Sequence, residues 1–68
     1  MKTFCRNLIE LRKQYGFTQK QVAERLGITQ PSYIRYEIGN SEPTLENLVK
    51  LADLFEVSVD YLLGRTQI

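Results

Sequence analysis

Histidine is absent from this 68-residue chain, and cysteine occurs once, as Cys5. The missing histidine excludes a Cys/His zinc site, and the lone cysteine excludes an internal disulfide. There is no glycine-rich phosphate loop and no paired-carboxylate cluster that a cleft could hold. The chain is therefore not read as an enzyme, and no metal or other cofactor is expected. No apolar run approaches the roughly 20 residues that a membrane span requires. One cysteine and no signal-peptide pattern fit a reducing cytoplasm with no membrane partner. Cys5 precedes Arg6, and a cationic neighbour can lower a thiol's pKa. The plainer alternative is a small apolar side chain at the edge of a core.

Sixty-eight residues are expected to form one domain, 1–68. A chain this short buries only about 60% of the surface its unfolded form exposes. With disulfides and metal excluded, stability must come from compact helix packing, a partner subunit, or both. Net charge is only +1, but its distribution is uneven. Residues 1–35 carry seven basic groups (Lys2, Arg6, Arg12, Lys13, Lys20, Arg25, Arg35) against Glu10 and Glu24, a net +5. Residues 36–68 carry Lys50 and Arg65 against Glu37, Glu42, Glu46, Asp53, Glu56 and Asp60, a net −4. One end of such a molecule is suited to face a polyanion, although uneven surface decoration produces the same count.

No strand pattern, repeat, linker or low-complexity tract is present, and five helices are legible in an all-α chain. The first spans about Thr3–Tyr15, with Phe4, Leu8, Leu11 and Tyr15 at i, i+4, i+7 and i+11, and Gly16 ends it. Thr18 opens the second, and Gln21 three residues later completes a capping box. Val22, Ala23 and Leu26 form its apolar stripe, and Gly27 supplies the left-handed residue that stops it. Thr29 caps a third helix running to Gly39. Helix, four-residue turn, helix over about 18–38 is a helix-turn-helix pattern. Capped helices around a glycine also occur in bundles that bind no nucleic acid. Beyond the turn-rich Gly39–Pro43, Thr44 caps a fourth helix with an apolar stripe of Leu45, Leu48, Val49, Ala52 and Phe55, Leu51 on its flank. Ser58 caps a short fifth, Val59–Leu63, which Gly64 ends.

Two segments, LRKQYGFTQKQVAERLGITQPSYIRYEIG and EPTLENLVKLADLFEVSVDYLL, resemble the Cro/phage-repressor type of helix-turn-helix protein over nearly the whole chain. The resemblance implies a compact five-helix, lambda-repressor-like domain whose third helix lies in the DNA major groove. Its function would be that of a transcriptional regulator, a repressor binding a palindromic operator as a homodimer. Its setting would be the cytoplasm of a bacterium, with the gene bacterial or phage-encoded.

The third helix, read physically, agrees. Tyr33 and Tyr36 fall inward with Leu26 and Ile28, whereas Gln30, Pro31, Ile34, Arg35 and Ile38 fall outward. Gln30 can pair with adenine N6 and N7, Arg35 with guanine O6 and N7, and Ile34 can meet a thymine methyl. A solvated Gln30 and a surface ion pair at Arg35 are the alternatives. Pro31 and Ser32 stand in the first turn, within reach of bases or backbone. Phosphate contacts are expected from Thr18, Gln19, Thr29, Ser32, Asn40 and Ser41, the family pattern placing its backbone-gripping glutamine at Gln19. Lys13 and Lys20 are further candidates, as longer-range charges, with plain solvated surface the equal alternative for Lys20.

The resemblance further implies a structural ion pair between Arg12 and Glu37, and a dimer contact around Val59, Tyr61 and Leu62. Closure of the core is the alternative role for those three. The chain departs from the family pattern at Ile38, Asn40 and Ser41, positions that are often basic, which weakens the phosphate clamp after the third helix. Ile34 and Ile38 also leave room for a protein partner, a toxin or another regulator. The alternative function is accordingly an antitoxin or protein-interaction module. No separate effector domain is expected, so regulation would act through concentration, dimerisation or a partner.

Overall fold

The computed structural model describes residues 2–66, which fold as five helices with no strand among them. Residues 1, 67 and 68, counted in the expected domain, lie outside the described residues. The helices are α1 (Lys2–Gln14), α2 (Gln19–Leu26), α3 (Gln30–Ile38), α4 (Leu45–Leu54) and α5 (Val59–Leu63). None of them is long and apolar enough to cross a membrane.

Local chemistry sets the helix ends. Thr18 Oγ1 accepts from the Gln21 amide at 3.0 Å, and Gln21 Oε1 accepts from the Thr18 amide at 2.8 Å, which completes the capping box. Thr29, Thr44 and Ser58 cap α3, α4 and α5 through bonds from Ser32, Asn47 and Tyr61. Between α2 and α3 stand three residues, Gly27, Ile28 and Thr29, not four. Gly27 adopts φ 73°, and the Ile28 amide bonds back to Ala23 O at 3.0 Å, closing the turn tightly. α4 ends differently. There Glu56 takes the left-handed conformation at φ 56°, the one such non-glycine residue among those described.

Every helix contributes a fully inaccessible or nearly inaccessible side chain to one core: Leu8, Val22, Tyr33, Leu51 and Leu62, with Phe55 beside them. α1 packs on α3 and α5, α2 on α3 and α4, and α4 on α5. The expected stripe of α4 is out of phase by part of a turn. Leu45 and Val49 are 82% and 51% exposed, whereas Leu51, assigned to the flank, is wholly buried. The buried set Leu48, Leu51, Ala52 and Phe55 follows i, i+3, i+4, i+7, and Asn47 joins it on the side facing α3. Asn47 Nδ2 donates to the Tyr36 hydroxyl at 3.1 Å, a polar link from α4 to α3.

Tyr15 also departs from its expected core position. It falls in the turn after α1 and is 44% exposed, its ring edge-on to Phe55 and its hydroxyl donating to Phe55 O at 2.9 Å. Leu62 is entirely enclosed, so it belongs to the core and offers no surface to a second subunit. Val59 and Tyr61, half-buried beside it, keep part of their surface outside.

Candidate nucleic-acid interface

The third helix owes its attitude to one buried carboxylate. Glu37, in the last turn of α3, is 5% exposed. Arg12 Nε donates to its Oε2 at 2.6 Å and Arg12 Nη2 to its Oε1 at 3.3 Å, a two-pronged pair from α1. Gln19 Nε2, from the start of α2, donates to Oε1 at 3.0 Å, and the Tyr33 hydroxyl donates to Oε2. Three helices therefore converge on one side chain, and no buried side-chain polar atom among the described residues lacks a partner. Burial alone would push the Glu37 carboxyl up, but the bonds from Arg12, Tyr33 and Gln19 together hold it below the usual glutamate value. The Arg12 guanidinium is raised by its hydrogen bonds to Glu37. Tyr33 is raised too, first by burial and then by the Glu37 carboxylate it faces.

This network positions a residue expected at the backbone. Gln19 is half-buried, and its amide nitrogen spends one N–H on Glu37. A second N–H remains, as do two of the five on Arg12, whose Nη1 also donates to Phe17 O at 3.1 Å. The ion pair assigned to Arg12 and Glu37 is thus present, and it is buried. The roles of Gln19 and Tyr33 in holding Glu37 were not legible in the chain. Tyr33 stands four residues before Glu37, a spacing that could have pointed to it.

On the opposite side of α3, Gln30, Pro31, Arg35 and Ile38 are exposed and Ile34 is half-buried, so the five outward residues share a face. The side chains of Gln30 and Arg35 form no hydrogen bond or ion pair among the described residues, which leaves their planar donor groups free. Thr29 donates its hydroxyl proton to Ser32 Oγ at 2.9 Å, leaving the Ser32 proton available. Thr18 stands exposed at the N-cap of α2, and Asn40 and Ser41 stand exposed just past Gly39.

Ion pairing divides the molecule as the charge count does. Both cations of the second half are paired nearby in the chain, Lys50 with Glu46 within α4 at 3.2 Å and Arg65, just past α5, with Asp60 at 3.7 Å. In the first half Arg12 is paired, and Arg25 lies over the Phe17 ring at 5.3 Å. Lys2, Arg6, Lys13, Lys20 and Arg35 form no ion pair among the described residues. Cys5 is half-buried at the core edge, with Sγ donating to Tyr36 O at 3.4 Å.

Comparison with known proteins places this geometry. The helix-turn-helix family profile matches residues 8–62. The chain is 48% identical over 63 residues to an uncharacterized HTH-type transcriptional regulator of Bacillus subtilis, YobD, covering 93% of this chain and 56% of the relative. It is 50% identical over 58 residues to the cryptic phage CTXphi transcriptional repressor RstR of Vibrio cholerae, covering 85% of this chain and 52% of the repressor. The chain thus spans about half the length of these relatives. Among solved structures, a transcriptional regulator from Listeria innocua superposes with a TM-score of 0.87 at 35% identity, over 96% of this chain and 61% of that one. The P22 c2 repressor in complex with a synthetic operator superposes with a TM-score of 0.83 over 91% of this chain and 94% of that one. Its identity is 24%, so that likeness is one of fold.

Proposed function

This chain belongs to the helix-turn-helix family, and from that premise we propose that it is the sequence-specific DNA-binding part of a bacterial or phage repressor working in the cytoplasm. The observation that carries the reading is the outer face of α3, where Gln30 and Arg35 stand exposed and unengaged on a helix locked from behind by Glu37. A recognition helix needs this combination, because a base-reading donor must not spend its hydrogen bonds on its own protein. That RstR is a repressor, and that the P22 c2 repressor is seen on an operator, supports it.

In this reading α3 lies in the major groove. Gln30 addresses adenine, Arg35 addresses guanine, and Pro31 with Ile34 forms the apolar surface that meets thymine methyl groups. The N-terminus of α2, with Thr18 and Gln19, grips a phosphate on one strand. Thr29, Ser32, Asn40 and Ser41 hold phosphates around α3, setting register without reading sequence. Two copies joined through Val59 and Tyr61 would read half-sites about 34 Å apart, and Leu62 supports that contact from the core without entering it.

The test is fluorescence anisotropy against DNA upstream of the chain's own gene, with random duplex as competitor. Tight binding that weakens with salt and loses its sequence preference in Arg35→Ala supports the reading. Equal affinity for both duplexes contradicts sequence-specific control of that gene. One observation favours a second reading, an antitoxin or other protein-binding module: Ile38 is 62% exposed on the same outer face. A stoichiometric complex with a second protein that Ile38→Asp abolishes would support it.

A further inference from the structure

We propose that Lys2 and Arg6 of α1 bind DNA backbone phosphates beside the C-terminal end of α3, supplying the charge that Ile38, Asn40 and Ser41 lack. The inference rests on the DNA-binding reading and extends the interface to a helix outside the helix-turn-helix.

Lys2, Arg6, Ile9, Glu10, Ile38 and Gly39 line one open groove of about 620 Å³ between α1 and the end of α3. Its two walls are pinned to each other. Cys5 Sγ bonds Tyr36 O, and farther along the same pair of helices Arg12 holds Glu37. The groove therefore keeps its shape on binding, and the cations need not be brought together by the ligand.

The position of Ile38 relates the groove to DNA. It follows Arg35 by three residues on the outer face of α3, about 4.5 Å farther along the helix axis. A phosphate strand flanking the groove that Arg35 enters reaches Ile38 next. Ile38 itself offers no charge, but Lys2 and Arg6 stand across the groove from it, exposed and without an ion-pair partner among the described residues. Ile9 and Ile38 supply an apolar floor along which the long stems of these cations can lie while their heads reach outward.

One acidic residue, Glu10, shares the groove. Lys13 lies three residues beyond it on the same side of α1, so the strip Lys2, Arg6, Glu10 and Lys13 keeps a net charge of +2. That charge favours a polyanion over an apolar peptide as the occupant.

Phosphate contacts are indifferent to sequence, so the test needs no operator. A random-sequence duplex is titrated with the full chain and with the double variant Lys2→Gln, Arg6→Gln over a salt series. Each phosphate neutralised adds about 0.9 to the slope of log affinity against log salt. Removing two is expected to make the slope shallower by about 2, with about tenfold less affinity lost between about 50 and 200 mM salt. The melting temperature should not move, since both side chains are exposed. Adding Ile38→Lys to the double variant is expected to recover about one unit of slope, because it returns a cation to the same groove.

A steep slope in the parent chain that the double variant leaves unchanged would overturn the proposal and return the groove to a protein partner. Failure of Ile38→Lys to recover any slope would count against a shared phosphate strand. Absence of salt-dependent binding by the parent chain would sink the DNA-binding reading itself, a separate result.

Discussion

Arg12 of α1 and Glu37 of α3 lie 25 positions apart, and Arg12 Nε meets Glu37 Oε2 at 2.6 Å in a nearly enclosed site. Such a pair behaves asymmetrically. Replacing both partners by well-packed apolar groups can be neutral, but removing one leaves the other charged and alone in low dielectric. Glu37→Ala would strand both the Arg12 guanidinium and the Tyr33 hydroxyl. It is expected to cost about 3–5 kcal/mol and to lower the melting temperature sharply in a circular-dichroism melt. Arg12→Ala should cost a similar amount, and the double variant should cost less than the two added together.

The same carboxylate predicts an acid limb. Glu37 titrates below 4.5 in the folded chain and near the ordinary value once unfolded. The unfolded state therefore binds more protons in that interval, and its contribution, complete above about pH 4.5, is lost as pH falls through the lowered native value. Tyr33 gives the mirror case. Its folded pKa is raised, so the contribution present below pH 10.0 declines as pH rises beyond it. Urea unfolding across pH should show both limbs, with Glu37→Gln flattening the acid one and Tyr33→Phe the alkaline one.

Arg35→Ala and Gln30→Ala should leave thermal stability unchanged, because neither side chain forms a hydrogen bond or ion pair among the described residues. Each should relax the preference for one base pair of the site by about 1–3 kcal/mol. Binding selections with each variant would read this as the loss of one position from the recovered motif. A uniform loss of affinity with the motif intact would assign these residues to the backbone instead.

Leu62→Ala and Tyr61→Lys separate the core from the dimer contact. Leu62 is fully enclosed, so its truncation should cost about 2–5 kcal/mol at any protein concentration. Tyr61 keeps surface outside the core, and Tyr61→Lys should spare most of the stability while abolishing cooperative binding to paired half-sites. Sedimentation and two-site footprinting distinguish the two outcomes.

At the end of α4, Glu56 holds φ 56° where the other helices of this chain turn on glycine. The left-handed conformation costs an L-residue roughly 1–2 kcal/mol, part of which a glycine loses again in unfolded-chain entropy. Glu56→Gly should therefore raise stability by about 1 kcal/mol. Gly64→Ala should do the opposite, since its φ is 79° and a Cβ there would collide with the Thr3 side-chain methyl.

The helix boundaries were determined locally. A Thr18 hydroxyl reaching the amide three residues on, or Gly27 turning left-handed, needs only the neighbouring few residues, so these features were legible in the chain itself. The same holds for the outward face of α3, because a helical period places Gln30, Ile34 and Arg35 together wherever the helix packs. What lay on the flank of a helix was decided by its neighbours. Leu45 and Val49 of α4 share a wheel with Leu51, and only the packing of α4 on α2 and α5 chose Leu51 for the core. Leu62 was drawn inward and Tyr61 left at the edge by the docking of α5 on α1. Gln19 was bound to Glu37, and Lys2 and Arg6 were set beside Ile38, only when α1, α2 and α3 closed on one another. Those relationships join residues 18 to 36 positions apart, and no periodicity within one helix can encode which distant face it will meet.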